Sequence, residues 1–313
     1  MASASAGSAA GSSLRRSRPR YGEAVIKGLL LAAALVSVAT TVGIVASLLP
    51  PALRFFGEVG FGEFFGGTEW TPLFKPPSYG VLPLITATLT TTALAISVAV
   101  PIGLAAATYL SEYATPRTRK VLKPVLEVLA GIPTVVYGFF ALTFFTPLLR
   151  DLWPGSGEGP EIFNGLSAGL IMGVMIVPTV ASLSEDAMSA VPQSLRQGAY
   201  ALGSTRRLVS IRVVLPAALS GIVAAIVLAI SRAVGETMIV AIAAGLKPEF
   251  TLNPLQAMQT MTGYIAAAGE GDLPVASFDY TTIFAVGLLL FVLTFAMNFL
   301  SIRLVRKYRE VYE

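Results

Sequence analysis

Two charged side chains stand where an apolar run should have none. In the segment AISRAVGETMIVAIAAG, residues 229–245, Arg232 and Glu236 are four positions apart. Deep in a membrane-inserted helix each charge would cost about 2.5–3.5 kcal/mol. Neither can then face lipid, and i,i+4 spacing places both on one helix face. Two readings follow. An ion pair would fix helix packing, although Arg ahead of Glu is the weaker order for such a pair. Alternatively, Arg232 offers a positive point to an anion in transit, and Glu236 tunes or gates it. The adjacent Thr237 joins them as a candidate pathway residue, and Gly235 lets another helix approach closely. Other chemistry is hard to assemble here. The chain has no Cys and no His, which removes thiolate nucleophiles, Ser/His/Asp catalysis and the commonest zinc ligand. No catalytic residue, no metal ligand set and no cofactor of this chain's own is expected.

The elements that must hold the pair follow from composition. Of 313 residues, 54% are hydrophobic and 13% charged, with a mean hydropathy of +0.73. An ordinary soluble chain carries about 25% charged residues, so a bilayer is the expected solvent. Apolar stretches of about 20 residues, enough to cross as a helix, occur at Lys27–Leu49, Pro83–Leu110, Pro124–Leu149, Asn164–Leu183, Pro216–Gly245 and Asp279–Ile302. No period-2 alternation of the β-barrel kind is visible. The expected fold class is therefore an all-α polytopic membrane protein with six transmembrane helices. Pro101, Pro133 and Pro178 fall inside spans and predict kinks. Glu127, four residues after Lys123, reads as its interfacial partner.

Charge placement orients the spans. With the N-terminus inside, every Lys and Arg except Arg54, Lys75, Arg150, Lys247 and Arg232 falls on the cytoplasmic side, the expected positive-inside bias. The basic pI of about 9.4 is thus a topology signal and does not imply nucleic-acid binding. The resulting map has a disordered basic tail (1–26), a first transmembrane anchor (27–49) and a periplasmic loop (50–82). A permease domain (83–303) follows, with a cytoplasmic loop at 184–215, and then a cytoplasmic C-terminal tail (304–313). The outer segments 50–82 and 246–278 are rich in Gly, Pro and aromatics and large enough to receive a partner.

The loop after the fourth span is more than a connector. Ala187, Val191, Leu195, Ala199 and Leu202 recur at three- and four-residue spacings, punctuated by Pro192 and Gly203. Two short helices with a sharp turn are predicted, lying along the membrane face with one apolar side for a docking partner. Gln197-Gly198-Ala199, then Gly203, then Leu215-Pro216 resembles the E-A-A-x3-G-x9-I-x-L-P loop of bacterial ABC-importer permeases. Gln197, Gly198 and Val213 depart from the pattern while its spacing is kept. The resemblance implies the permease fold of type I ABC importers and a coupling helix seated in a separate ATPase. Its contact residues would be Gln197, Gly198, Ala199, Gly203, Leu215 and Pro216. No G-x4-G-K-[ST] run occurs, so ATP and Mg would be used by that partner chain.

Arg232–Val240 (RAVGETMIV), together with AGIPTVVYG at 130–138 and Ala190-Val191-Pro192, is similar to the phosphate-specific transport permeases. The GETM sequence resembles the PstC type; PstA-type chains tend to read GETAP there. The resemblance covers roughly residues 83–303. It implies a non-catalytic subunit translocating inorganic phosphate across the bacterial inner membrane, both termini cytoplasmic. The implied partners are a PstA-type permease, an ATPase dimer and a periplasmic phosphate-binding protein. A permease for molybdate or sulfate is the alternative; a polytopic membrane enzyme or a secondary transporter would need titratable clusters or inverted repeats that the sequence does not display.

Overall fold

A computed structural model describes residues 21–154, 159–271, 274 and 277–307. Of the tails expected at 1–26 and 304–313, residues 1–20 and 308–313 lie outside the described residues, and residues 21–26 and 304–307 are helical instead. The elements are α1 (Tyr21–Glu58), α2 (Phe61–Gly66), α3 (Leu82–Thr108), α4 (Pro116–Ala130), α5 (Thr134–Phe140) and α6 (Thr146–Asp151). They continue with α7 (Gly165–Ser189), α8 (Gln193–Ala201), α9 (Arg206–Val209), α10 (Leu215–Ala217), α11 (Leu219–Val234), α12 (Met261–Glu270) and α13 (Phe278–Lys307). π-helical turns follow α3 (Tyr109–Tyr113), α5 (Ala141–Phe145) and α9 (Ser210–Val214), and a fourth covers Val240–Ala244. Among the described residues no strand forms, only one isolated bridge between Trp70 and Tyr79.

Residues 1–47 and 48–313 separate into two units. The described part of the first is an apolar helix whose Thr40 and Thr41 hydroxyls donate to the Val36 and Ser37 carbonyls. Such back-bonding satisfies a hydroxyl where no water is at hand.

In the second unit, α3 and α7 make the central pair because small residues let their backbones meet. Glycines recur every fourth residue on α7. A Cβ on Gly169 would lie 2.6 Å from the Leu94 Cβ, and one on Gly173 would lie 2.7 Å from the Ala95 carbonyl oxygen. A Cβ on Gly103 of α3 would meet the Val180 Cβ at 2.7 Å. Helices in lipid associate through such close approach, since burying apolar surface gains little there. Around this seam Ala95, Ala99, Met172, Met175, Ile176, Ile239 and Ala243 form the main core. Leu84 at one end of α3 joins an aromatic core of Phe55, Phe64, Trp70, Tyr79 and Tyr264. Ala107, about 35 Å further along by helical rise, joins a separate core of Met188, Val191, Val209, Val214 and Ile222.

Among the described residues four helices are long and apolar enough to cross a membrane, or up to six if each of two bent pairs is one span. One bent pair covers the expected third span; the other, residues 206–234, takes in the end of the expected loop and leaves residues 235–245 of the expected fifth span beyond α11. α4 meets α5–α6 at 84°, and α9–α10 meets α11 at 71°. Pro101 and Pro178 stay inside unbroken helices, whereas Pro133 ends one. The residue before a proline avoids the helical region, Gly131 caps α4, and Pro133 opens α5 at φ −57° and ψ 136°. The Tyr137 hydroxyl donates to the Leu129 carbonyl at 3.0 Å, which also accepts from the Ile132 N–H at 3.3 Å, so the break is tied across its two sides. The first and last helices also overrun their expected ends. α1 continues past Leu49 through Pro50 and Pro51 to Glu58, and α13 continues to Lys307.

Candidate functional site

Arg232 and Glu236 do not share a helix face. α11 ends at Val234, Gly235 caps it, and helical turns resume only at Met238. The Glu236 carboxylate then accepts from the Met238 and Ile239 backbone N–H groups at 3.1 and 3.3 Å. It is buried and acts as an acidic N-cap for the next helical turns, where unpaired N–H groups and the positive dipole end favour an anion. The Glu236 carbonyl accepts from the Thr262 hydroxyl of α12 at 2.6 Å, which fixes the break from the other side. The expectation that Glu236 tunes Arg232 through a shared face is therefore corrected, and so is the ion-pair reading. The stop-and-restart signal was present in the sequence as Gly-Glu-Thr after the last apolar turn.

Arg232 is half-buried, and its Nη1 donates to the Thr179 hydroxyl of α7 at 2.9 Å. Among the described residues it forms no ion pair. A guanidinium carries five donors in a planar fork, so a cation with further capacity for oxygen ligands faces the bundle here. Thr237, half-buried, lies in the non-helical stretch and directs its hydroxyl to the Gly235 carbonyl at 3.4 Å.

About 9 Å further along α7 by helical rise, charges are fully paired. Glu185, with no exposed side-chain surface, accepts from Arg119 and from Lys123 at 2.8 Å, both on α4. Ser189 donates to the same carboxylate at 2.7 Å. Lys123 also reaches Asp186 at 2.6 Å. The predicted Lys123–Glu127 pairing is corrected accordingly: Glu127 is exposed, and the lysine turns to α7. Sequence reasoning placed Glu185 in a loop because the apolar run stops at Leu183; α7 in fact runs two turns further.

The loop at 184–215 forms helices as its spacing predicted. Ala199 and Leu215 are brought together against the Met188–Val214 core. Gln197, Gly198 and Pro216 are exposed, next to Tyr200 and Leu202, the latter 88% exposed. Gly203 has φ +80° with open space around its missing Cβ. Its glycine is demanded by backbone conformation and not by crowding. Arg196 was missed altogether. It points away from the exposed face, is 7% exposed, and donates from Nη2 to Glu112 at 3.0 Å. Its donors also reach the Met188 and Val191 carbonyls at the end of α7. Its three-residue offset from exposed Gln193 placed it on neither face unambiguously.

Residues 99–310 match the family described as binding-protein-dependent transport system inner membrane component, and the chain belongs to that family. A Bacillus subtilis relative named probable ABC transporter permease protein YqgH is 37% identical over 280 residues, covering 89% of this chain and 88% of the relative. The phosphate transport system permease protein PstC 1 of Mycobacterium tuberculosis is 37% identical over 284 residues, covering 78% and 82%. That named PstC in Haemophilus influenzae is 31% identical, covering 92% and 91%. Of solved structures, a bacterial alginate ABC transporter matches with a TM-score of 0.61 at 16% identity, covering 92% of this chain and 98% of that one. The inward-facing MetNI methionine ABC transporter matches at 0.51 and 20% identity, covering 74% and 95%. At those identities the solved structures establish the fold. The chain is a membrane permease of the ABC-importer class, and its relatives are transport subunits, not enzymes.

Proposed function

We propose that this chain is a PstC-type permease subunit that passes inorganic phosphate across the bacterial inner membrane, with both termini cytoplasmic. The observation that carries the reading is Arg232, a half-buried guanidinium in a membrane-crossing bundle, bonded to Thr179 and free of any carboxylate partner among the described residues. An unpaired cation at that depth is costly, and a planar fork suits tetrahedral oxyanion oxygens. Thr237, in the non-helical stretch three residues after α11 ends, is proposed to add a polar group to the same pathway. The names of the relatives point to phosphate among the oxyanions.

The remaining partners follow from the same reading. The exposed side of α8, with Gln197 and Gly198, is the docking face for an ATPase dimer that binds ATP and Mg itself. Gly203 sets the turn of that face, while Ala199, Leu215 and the α10 start at Pro216 anchor it to the bundle. A PstA-type subunit completes the passage, and a periplasmic phosphate-binding protein delivers the ion.

The test is uptake of labelled phosphate into vesicles carrying the full complex. Arg232→Gln is expected to reduce uptake about 100-fold, the equivalent of about 3 kcal/mol for a lost charge-assisted contact. The complex should still purify intact. Uptake at the wild-type rate would remove Arg232 from the pathway. Wild-type vesicles that took up molybdate or sulfate in preference would replace phosphate as the cargo.

A further inference from the structure

The α8 loop presents its outer face to solvent, yet two of its cations, buried Arg196 and exposed Arg206, reach one short turn of another helix. Arg196, before Gly203, reaches Glu112, and Arg206, after Gly203, lies over the Tyr113 ring at 5.5 Å. Glu112 and Tyr113 both belong to the π-helical turn Tyr109–Tyr113 that ends the α3 stretch. That turn is closed by the Ala114 N–H donating to the Tyr109 carbonyl at 2.8 Å. π-turns are uncommon and occur mostly where a helix must present a side chain off its regular register. Ser111 also donates to Glu112 at 3.0 Å, which orients the carboxylate.

The Arg196–Glu112 pair is nearly dry, with side chains 8% and 4% exposed. Burying two charges recovers little net stability, and an apolar pair of similar size would hold a helix as well. What the ion pair adds is register. The apolar contacts of α8 are made through Leu195 and Ala199, short side chains that permit sliding. A guanidinium that also holds the Met188 and Val191 carbonyls does not, because its donors have fixed directions. Three elements, α3, α7 and α8, thus meet at one side chain.

We propose that Arg196 is a positioning residue, plugged into the Tyr109–Tyr113 turn as a socket. The plug makes the loop move as one rigid body with the ends of α3 and α7. A push on the exposed face of α8 then reaches the α3–α7 seam, and hence Thr179 and Arg232, without loss in a compliant joint. The inference rests on the proposed ATPase-coupled transport; the socket itself rests on the geometry alone.

The experiment uses the whole complex in lipid nanodiscs and vesicles. The chain has no Cys, so spin labels at Ile102→Cys on α3 and Gln193→Cys on α8, both exposed, report their separation cleanly. The wild type is expected to give one narrow distance before and after nucleotide binding. Arg196→Lys keeps the charge but loses the fork. It should broaden that distance and lower phosphate taken up per ATP hydrolysed about tenfold, within the range typical of coupling between sites. The ATPase should still copurify. Glu112→Gln, which keeps shape and acceptor, carries the same test should Arg196→Lys fail to assemble. A broad wild-type distance, or variants whose uptake per ATP stays within about twofold of wild type, would overturn the socket. A wild-type complex that held the narrow distance but transported a different anion would overturn the phosphate reading alone and leave the socket supported.

Discussion

The middle and the C-terminal end of α7 treat charge in opposite ways. Near its middle, Thr179 holds Arg232, which has no carboxylate partner among the described residues. Toward its C-terminus, Glu185 takes Arg119, Lys123 and Ser189 together, and the Met188 carbonyl helps to bury Arg196 against Glu112. The second pattern is what a protein does with a charge it needs only for structure: pair it and satisfy its remaining donors. The first leaves an open valence in a region where that is expensive. Under the proposed function, the difference would separate the part that handles an ion from the part that transmits force.

The comparison can be broken by removing one member of each arrangement. The largest effect on stability belongs to Glu185→Ala, which strands two cations of α4 beside α7. Breaking a buried pair costs about 3–5 kcal/mol, and the partial exposure of Arg119 and Lys123 brings this to about 2 kcal/mol. The thermal midpoint in detergent should fall by several degrees, whereas Arg232→Gln should hardly move it. Equal losses for the two would erase the distinction.

Gly203→Ala comes next. Its φ of +80° is unfavourable for any residue with a Cβ, at a cost of about 1–2 kcal/mol. Open space around the site means no clash adds to that. The ATPase should copurify less well, and the thermal midpoint should fall by less than for Glu185→Ala. Unchanged copurification would separate Gly203 from docking.

Glu236→Gln should be the mildest. The amide can still accept from Met238 and Ile239, so only the charge–dipole part is lost, about 0.5 kcal/mol. Uptake should fall a few-fold at most, far less than for Arg232→Gln. A loss as large as that for Arg232 would return Glu236 to the ion pathway as a charged participant.

Most of the architecture was legible because lipid imposes long apolar runs and positive charge marks their ends. The breaks were less legible. Pro101, Pro133 and Pro178 look alike in sequence, but only Pro133 follows a Gly131-capped helix that is polar enough to leave the bundle's direction. The Arg232 cation was identifiable from its apolar surroundings, whereas its separation from Glu236 depended on whether Gly235 ended the helix. Glu185, Glu112 and Arg196 were invisible as a group, since their pairing joins residues 60 to 90 positions apart, roughly, and no local spacing encodes it. The helices of the 184–215 loop and the turn at Gly203 were readable from their spacing, while the inward turn of Arg196 needed the π-turn that receives it.

The central claim is that Arg232 acts by its positive charge on a passing anion. Since the chain has no Cys, Arg232→Cys gives a single thiol at the site once partner thiols are replaced. Phosphate uptake should be lost in that variant and should recover substantially when an aminoethyl disulfide restores a cation. Modification by a neutral methyl disulfide should restore nothing. Equal recovery with the neutral reagent, or none with the cationic one, would contradict the account.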